Sequence, residues 1–120
     1  MRDHTKLRAF ELADHLAITI YKCTASFPRE EQFGLTSQMR RAAVSIPSNI
    51  VEGCARDSGA DYIRFLDIAF GSLRELEYQA SLAHRLGYIS DFEPLAAVMT
   101  ETSKVLGALI RSLRNPKPTA

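Results

Sequence analysis

Apolar residues recur in four stretches of the chain, at alternating steps of four and three residues. The stretches run from Ala9 to Phe27, from Met39 to Gly53, from Tyr62 to Ala83 and from Leu95 to Leu113. This spacing is typical of helices that pack along one stripe in a left-handed bundle. No run of period two lies between turn signals, so no strand is predicted.

Turn and capping residues separate these stretches. Pro28 follows the first, and Thr36 is predicted to be the N-cap of the second. Ser58, with Asp61 three residues later, resembles a capping box for the third, and Gly87 is well placed to close that helix in the left-handed conformation. The predicted helices cover residues of about 7–27, 36–56, 59–86 and 91–113.

The fourth predicted helix has the clearest start signal. Ser90 to Glu93 reads S-x-x-E, the pattern of a capping box, and Pro94 would lie in the first turn. Residues 114–120 contain two prolines and are predicted to form a short disordered tail. Because the loops are short, we predict an all-α, antiparallel, up-down-up-down, left-handed four-helix bundle, as a single domain over residues 1–120.

The third stretch also carries apolar residues outside its stripe, and these indicate whether the protein assembles with other subunits. A helix in a single four-helix bundle needs one wide apolar stripe, so the surplus predicts a second buried face, most simply a subunit contact. Gly71 in mid-helix costs up to about 1 kcal/mol relative to alanine, which close backbone approach would offset. The apolar residues off the stripe are Ile63, Phe65, Ile68, Phe70 and Tyr78.

Composition and charge narrow the function classes. The 120 residues are 46% hydrophobic and carry a net charge of +1, which argues against a uniformly basic nucleic-acid binder. From Lys104 onward, however, the charged residues are all basic. They either complement the dipole of the last helix, which we favour, or bind an anionic partner. No membrane span or signal-peptide pattern is present, so a cytoplasmic location is expected.

A polar ladder runs along the second predicted helix, which also contains Pro47. Its residues, at steps of four, four, three and four, are Arg41, Ser45, Asn49, Glu52 and Arg56. As a binding surface, the arginines would contact phosphates and Ser45 and Asn49 would add hydrogen bonds. As structure, Glu52 would pair with Arg56, and Ser45 or Asn49 would satisfy backbone groups released by Pro47. We favour the structural interpretation.

Candidate catalytic chemistry is sparse. Glu75 and Glu77 beside Arg74 point to different helix faces, so an ion pair is expected there rather than an acid–base pair. The histidines form no E-x-x-H or H-x-x-x-H pair for a di-metal centre, and Cys23 and Cys54 lack metal-site spacing. We predict no enzymatic activity, metal or cofactor. A metal-dependent enzyme is the weakest alternative.

Several long motifs resemble one known family. They are GLTSQMRRAAVSIPSNIVEGCAR ending at Arg56, YIRFLDIAFGSLRELEYQ from Tyr62 to Gln79, LAHRLGYIS from Leu82 to Ser90, and the FP-x-x-E-x-F-G-L-T loop from Phe27 to Thr36. They resemble the four-helix-bundle proteins encoded in intervening sequences of bacterial large-subunit ribosomal RNA genes. The resemblance implies a ring-shaped homopentamer. It also implies a relationship to the accessory proteins of diversity-generating retroelements, which bind a reverse transcriptase and nucleic acid.

Together these observations favour a non-enzymatic, homo-oligomeric scaffold or adaptor that binds RNA or a nucleic-acid-handling protein. The alternative is a purely structural protein-interaction module without nucleic-acid affinity. The residues predicted to contact nucleic acid are Arg40, Arg41, Arg56, Arg111 and Arg114.

Overall fold

The computed structural model describes residues 2–116, most of which lie in four helices. These are α1 (Arg8–Thr24), α2 (Leu35–Cys54), α3 (Gly59–Arg85) and α4 (Glu93–Arg114). Short 3-10 turns precede α1 at His4–Lys6 and α2 at Arg29–Glu31. No strand occurs within the described range.

Each helix packs against the two helices beside it. Close backbone approaches join α1 to α2, α2 to α3, α3 to α4 and α4 to α1, whereas the backbones of the diagonal pairs stay farther apart within residues 2–116. The result is an elongated body of 55 × 23 × 19 Å. The prediction of an all-α four-helix bundle is confirmed.

The predicted apolar stripes meet in one core. Burying a large aliphatic side chain stabilises the fold by roughly 1.5–3 kcal/mol, so this core supplies the main driving force for folding. The largest side chains that are fully buried include Leu16, Ile20, Met39, Ile46, Ile50, Leu66, Leu73, Leu76 and Leu106.

Helix α1 ends at Thr24, three residues before the predicted end. The Thr24 hydroxyl donates to the carbonyl of Ile20 at 2.7 Å, and the N–H of Phe27 donates to the carbonyl of Thr24 at 3.1 Å in a closing turn. Pro28 disfavours helical conformation in the residue before it, which explains why the helix cannot reach Phe27. Phe27 is nevertheless buried in the core.

The predicted N-cap of α2 is wrong. Helix α2 begins at Leu35, whose N–H donates to a carboxylate oxygen of Glu31 at 3.2 Å, and Thr36 is a buried helical residue. The Glu31 carboxylate, in the preceding 3-10 turn, therefore accepts one of the backbone N–H groups at the start of α2 that have no partner within the helix. At the other end, the backbone N–H of Arg2 donates to the carbonyl of Cys54 at 3.0 Å.

Two of the remaining predicted caps are confirmed and one is wrong. Ser58 accepts from the N–H of Asp61 at 3.1 Å, and Gly87 has a φ of 83°, both as predicted. The capping box of Ser90 is wrong, because α4 begins at Glu93 after Phe92 with no side-chain cap. Phe92 instead stacks on His84, with ring centroids 4.7 Å apart.

The C-terminal boundary also moves. Pro94 lies in the first turn of α4 as predicted, but the helix includes Arg114, which the sequence placed in the tail. An ion pair between Arg114 and Asp67 of α3 holds this last turn against the bundle. The rest of the predicted tail, beyond Pro116, lies outside the described residues.

Candidate functional site

The polar ladder of α2 lies along its contact with α3. The hydroxyls of Ser45 and Ser72 are 2.8 Å apart, which joins the two helices. Asn49 donates its side-chain amide to the carbonyl of Ser45 at 2.8 Å and to its hydroxyl at 3.0 Å. Ser45 therefore joins α2 to α3, and Asn49 supports Ser45 from within α2.

Pro47 is accommodated differently from the prediction. Proline at this position removes the hydrogen bond that the carbonyl of Ala43 would accept. The amide of Asn49 reaches the carbonyl of Ser45, which is a different acceptor, so this detail of the structural interpretation is wrong. Helix α2 continues through Pro47 without a break.

Three of the five predicted binding arginines are engaged within the subunit. Arg56 pairs with Glu52, as the structural interpretation predicts, and its guanidinium lies 4.8 Å from the centre of the Phe65 ring. Arg114 pairs with Asp67. The third is Arg40, whose contacts also shape a groove.

Arg40 is held between α2 and α1. Its Nε donates to the hydroxyl of Thr24 at 2.9 Å, and its Nη2 donates to the carbonyl of Tyr21 at 3.3 Å. The guanidinium lies 4.6 Å from the centre of the Tyr21 ring. These contacts fix both side chains in one orientation.

Arg41 and Arg111 are the exposed exceptions. Within residues 2–116 neither side chain makes a hydrogen bond or an ion pair. Arg41 follows the start of α2 by six residues and Arg111 precedes the end of α4 by three, so they lie near opposite ends of the bundle. The structure therefore does not bring the five predicted arginines together into one site.

A groove of about 630 Å³ opens between α1 and α2 beside the loop that joins them. This volume is within the range of roughly 300–1,000 Å³ that ligand clefts occupy. Phe33 stands at the groove with 90% of its surface exposed. None of the lining residues is acidic: Tyr21, Gln32, Phe33, Thr36, Ser37, Arg40, Arg41, Val44 and Ser45.

A second cavity of about 250 Å³ adjoins this groove and shares Gln32, Thr36 and Arg40 with it. It adds Arg29, which is exposed and, within the described range, makes no side-chain hydrogen bond or ion pair. We call the two cavities together the arginine groove. Sequence reasoning missed Arg29, Tyr21 and Phe33 as site residues, although two of them lie in the FP-x-x-E-x-F-G-L-T loop.

A third, polar groove of about 460 Å³ lies between α2 and α3 and includes Arg41, Glu75 and Gln79. The side-chain oxygen of Gln79 is buried there without a hydrogen-bond partner in the described part of the chain. This groove contains both charge signs, unlike the arginine groove.

The solvent side of α3 carries apolar residues that the bundle leaves uncovered. Ile68 is 42% exposed and Tyr78 is 62% exposed. Gly71 lies between them, and a methyl group placed on it would meet no atom within 4 Å. No other part of residues 2–116 therefore makes the close approach predicted for Gly71. We call Ile68, Gly71 and Tyr78 the α3 outer face.

The titratable groups are consistent with structural roles. Burial raises the pKa of both free thiols, Cys23 and Cys54. A hydrogen bond to Glu31, together with burial, raises the pKa of Tyr88. Glu77 pairs with Arg74 at 3.0 Å, as expected.

No group of three or more His, Cys, Asp or Glu side chains in residues 2–116 is arranged to hold a metal ion. Among the helices described, none combines the length and apolar character needed to cross a membrane.

The fold and its surfaces define a small helical-bundle protein in which a few polar side chains, among them Arg40, Ser45 and Arg114, join neighbouring helices. The chain belongs to the family of 23S rRNA-intervening sequence proteins, whose family model matches residues 5–108. The predicted family resemblance is thus confirmed.

A solved structure gives the same fold. It is a protein of unknown function from the S23 ribosomal protein family of Bacteroides thetaiotaomicron, with 30% identity and a TM-score of 0.77. The match covers 86% of this chain and 98% of that one. No curated protein matches the sequence. Neither the family nor this neighbour points to an enzymatic activity.

Proposed function

We propose that this protein is a non-enzymatic scaffold that assembles with copies of itself through the α3 outer face. A ring of five subunits is the assembly that the family resemblance implies. The observation that carries the proposal is the exposed Gly71 between the exposed apolar side chains of Ile68 and Tyr78.

Gly71 makes this surface suited to a second helix. Mid-helix glycine costs up to about 1 kcal/mol relative to alanine, and no contact within the described part of the chain offsets that cost. Without a Cβ, the backbone at Gly71 can be approached closely from outside. Ile68 precedes Gly71 by three residues and Tyr78 follows it by seven, so all three lie on the same side of α3. A helix that approached Gly71 would therefore bury Ile68 and Tyr78.

The experiment is multi-angle light scattering on three proteins: the natural chain, Tyr78→Glu and the control Ile18→Glu. Ile18 is a comparable control because it is 50% exposed on α1, away from the α3 outer face. We expect an oligomer, with the mass of five 13.4-kDa subunits, for the natural chain and the control. Tyr78→Glu should have the mass of one subunit, because a buried unpaired carboxylate strongly disfavours the contact.

Two results would contradict the proposal. One is a monomer mass for the natural chain at micromolar concentration. The other is an oligomer that Tyr78→Glu leaves intact, which would place the contact elsewhere. Circular dichroism should show the same helix content in all three proteins.

A second candidate activity is RNA binding by the assembled scaffold. It is favoured by the exposed, unpaired arginines Arg41 and Arg111 in the described chain. With a net charge of +1, one subunit has only a weak electrostatic field. In an assembly the same arginines would recur on every subunit and form a larger basic surface. The competing function is a protein-interaction module without nucleic-acid affinity.

A further inference from the structure

We propose that the arginine groove binds single-stranded RNA, with a base stacked on Phe33 and the neighbouring phosphates on Arg29 and Arg41. This inference rests on the RNA-binding candidate above and assigns its site and its class of ligand. It is carried by the chemistry of the groove, by the exposure of Phe33 and by the roles of the other loop residues.

The loop from Phe27 to Thr36 explains why Phe33 stands out. Phe27 is buried and lies 5.4 Å, between ring centroids, from Tyr88. Glu31 accepts from Leu35 and, at 2.9 Å, from the hydroxyl of Tyr88. Phe33 alone among the apolar residues of this loop remains in solvent. An aromatic ring in that position is free to stack on a ligand.

The charges around Phe33 select an anionic ligand. The arginine groove contains Arg29, Arg40 and Arg41 and no carboxylate. The two acids of the same loop lie outside the lining: Glu31 is held by Leu35 and Tyr88, and Glu30 is exposed next to Arg29. Because Arg40 is already fixed on Tyr21 and Thr24, it contributes charge at a fixed position, while Arg29 and Arg41 are free to move onto phosphates.

Single-stranded RNA matches this combination better than a duplex does. Single-strand binding sites combine aromatic platforms for bases with cationic side chains that follow the backbone. The bases of a duplex are stacked on each other and cannot reach Phe33. The groove also continues past Arg40 toward Arg29, so it offers a path for more than one nucleotide.

The test measures binding of a fluorescent ten-nucleotide oligouridylate by anisotropy, across a series of salt concentrations. Phe33→Leu should weaken binding about 5- to 100-fold, since it keeps apolar bulk and removes the stacking ring. Phe33→Tyr should retain the affinity. The Arg29→Gln/Arg41→Gln variant should lower the magnitude of the salt slope by about 0.7 for each phosphate that it no longer neutralises.

The matched charge control is Lys6→Gln/Lys104→Gln, two exposed cations outside the groove that, like Arg29 and Arg41, make no ion pair within residues 2–116, and it should bind like the natural chain. Helix content and oligomer mass are checked for every variant. A Phe33 variant that changes the oligomer mass would overturn the proposal, because Phe33 would then serve assembly.

The outcomes separate this site from RNA binding in general. If no single-stranded RNA binds at low salt, both the RNA-binding candidate and the groove assignment fail. If RNA binds but Phe33→Leu and Arg29→Gln/Arg41→Gln have no effect, only the groove assignment fails. Equal affinity for a ten-base-pair duplex RNA would also overturn the stacking role of Phe33.

Discussion

Gly53 and Gly71 lie on neighbouring helices in opposite surroundings. A Cβ on Gly53 would lie 3.0 Å from the Cβ of Phe65 and 3.3 Å from the carbonyl oxygen of Tyr62, so α2 and α3 approach closely at this point. A Cβ on Gly71 would meet nothing within 4 Å. The same residue type therefore serves packing in one helix and exposes backbone in the other.

Alanine substitutions should separate these roles. We expect Gly53→Ala to lower the free energy of unfolding by about 1–3 kcal/mol, because the added methyl group forces the helices apart. Gly71→Ala should raise it by about 0.5–1 kcal/mol through helix propensity. Urea unfolding measures both, in the Tyr78→Glu background so that subunit dissociation does not contribute. If Gly71→Ala instead lowered the free energy of unfolding in this background, the added methyl group would have to clash with a neighbouring atom, and the structure shows none within 4 Å.

These two glycines also show what residue patterns could predict. The stripe position of Gly53 predicts a buried site, and burial is what the structure has. For Gly71, sequence spacing identifies a helix face but does not reveal what covers it, and no residue from 2 to 116 covers it. The same reason applies to the arginines, since their partners Asp67, Phe65 and Thr24 come from other helices.

At the scale of elements, the two loops at one end of the bundle are joined through Glu31 and Tyr88. Glu31 lies between α1 and α2, and Tyr88 lies between α3 and α4. One carboxylate oxygen of Glu31 accepts from Leu35 at the start of α2, and the other accepts from the Tyr88 hydroxyl. A single side chain thus caps a helix and fixes the opposite loop.

This double role predicts coupling in a double-mutant cycle. Glu31→Ala should cost about 1–2 kcal/mol, because the helix start and Tyr88 both lose their partner. Tyr88→Phe should cost about 1 kcal/mol alone and much less in the Glu31→Ala background. Denaturant unfolding of the four proteins gives the coupling energy. Strict additivity would contradict a shared hydrogen bond.

The interiors of the four helices and the start of α3 follow from the sequence, whereas the starts of α2 and α4 do not, and the reason is physical. The long apolar periods predict the four helices and their interiors, because burial along a stripe decides them. The cap at Ser58 is local and was predicted. The start of α2 depends on Glu31, and α4 begins beside a stacking contact between Phe92 and His84, neither of which a local capping pattern describes.

At the scale of the whole molecule, the arginine groove and the α3 outer face involve different helices. The groove is formed by α1, α2 and their loop, whereas the outer face belongs to α3. In a ring the outer face of one subunit packs on a different surface of the next, and where that surface is not the groove, the groove of every subunit stays available. Several grooves on one particle would give a long RNA strand more than one attachment.

Multivalent attachment predicts a dependence on RNA length that a single groove lacks. A second binding event on the same strand is intramolecular, so affinity can rise about 10²–10⁴-fold without any new type of contact. We expect the natural oligomer to bind a 40-nucleotide oligouridylate at least about 100-fold more tightly than a five-nucleotide one. Tyr78→Glu should bind the short strand as well as the natural chain does.

Monomer and oligomer should differ in how much affinity they gain with RNA length. For monomeric Tyr78→Glu, the gain should be limited to the larger number of registers in which one groove can bind along the strand, on the order of 40-fold for a five-nucleotide site. Anisotropy titrations at a fixed salt concentration measure both strands with both proteins. An equal gain for monomer and oligomer would mean that the grooves do not act together, and would separate RNA binding from assembly as independent properties of the bundle.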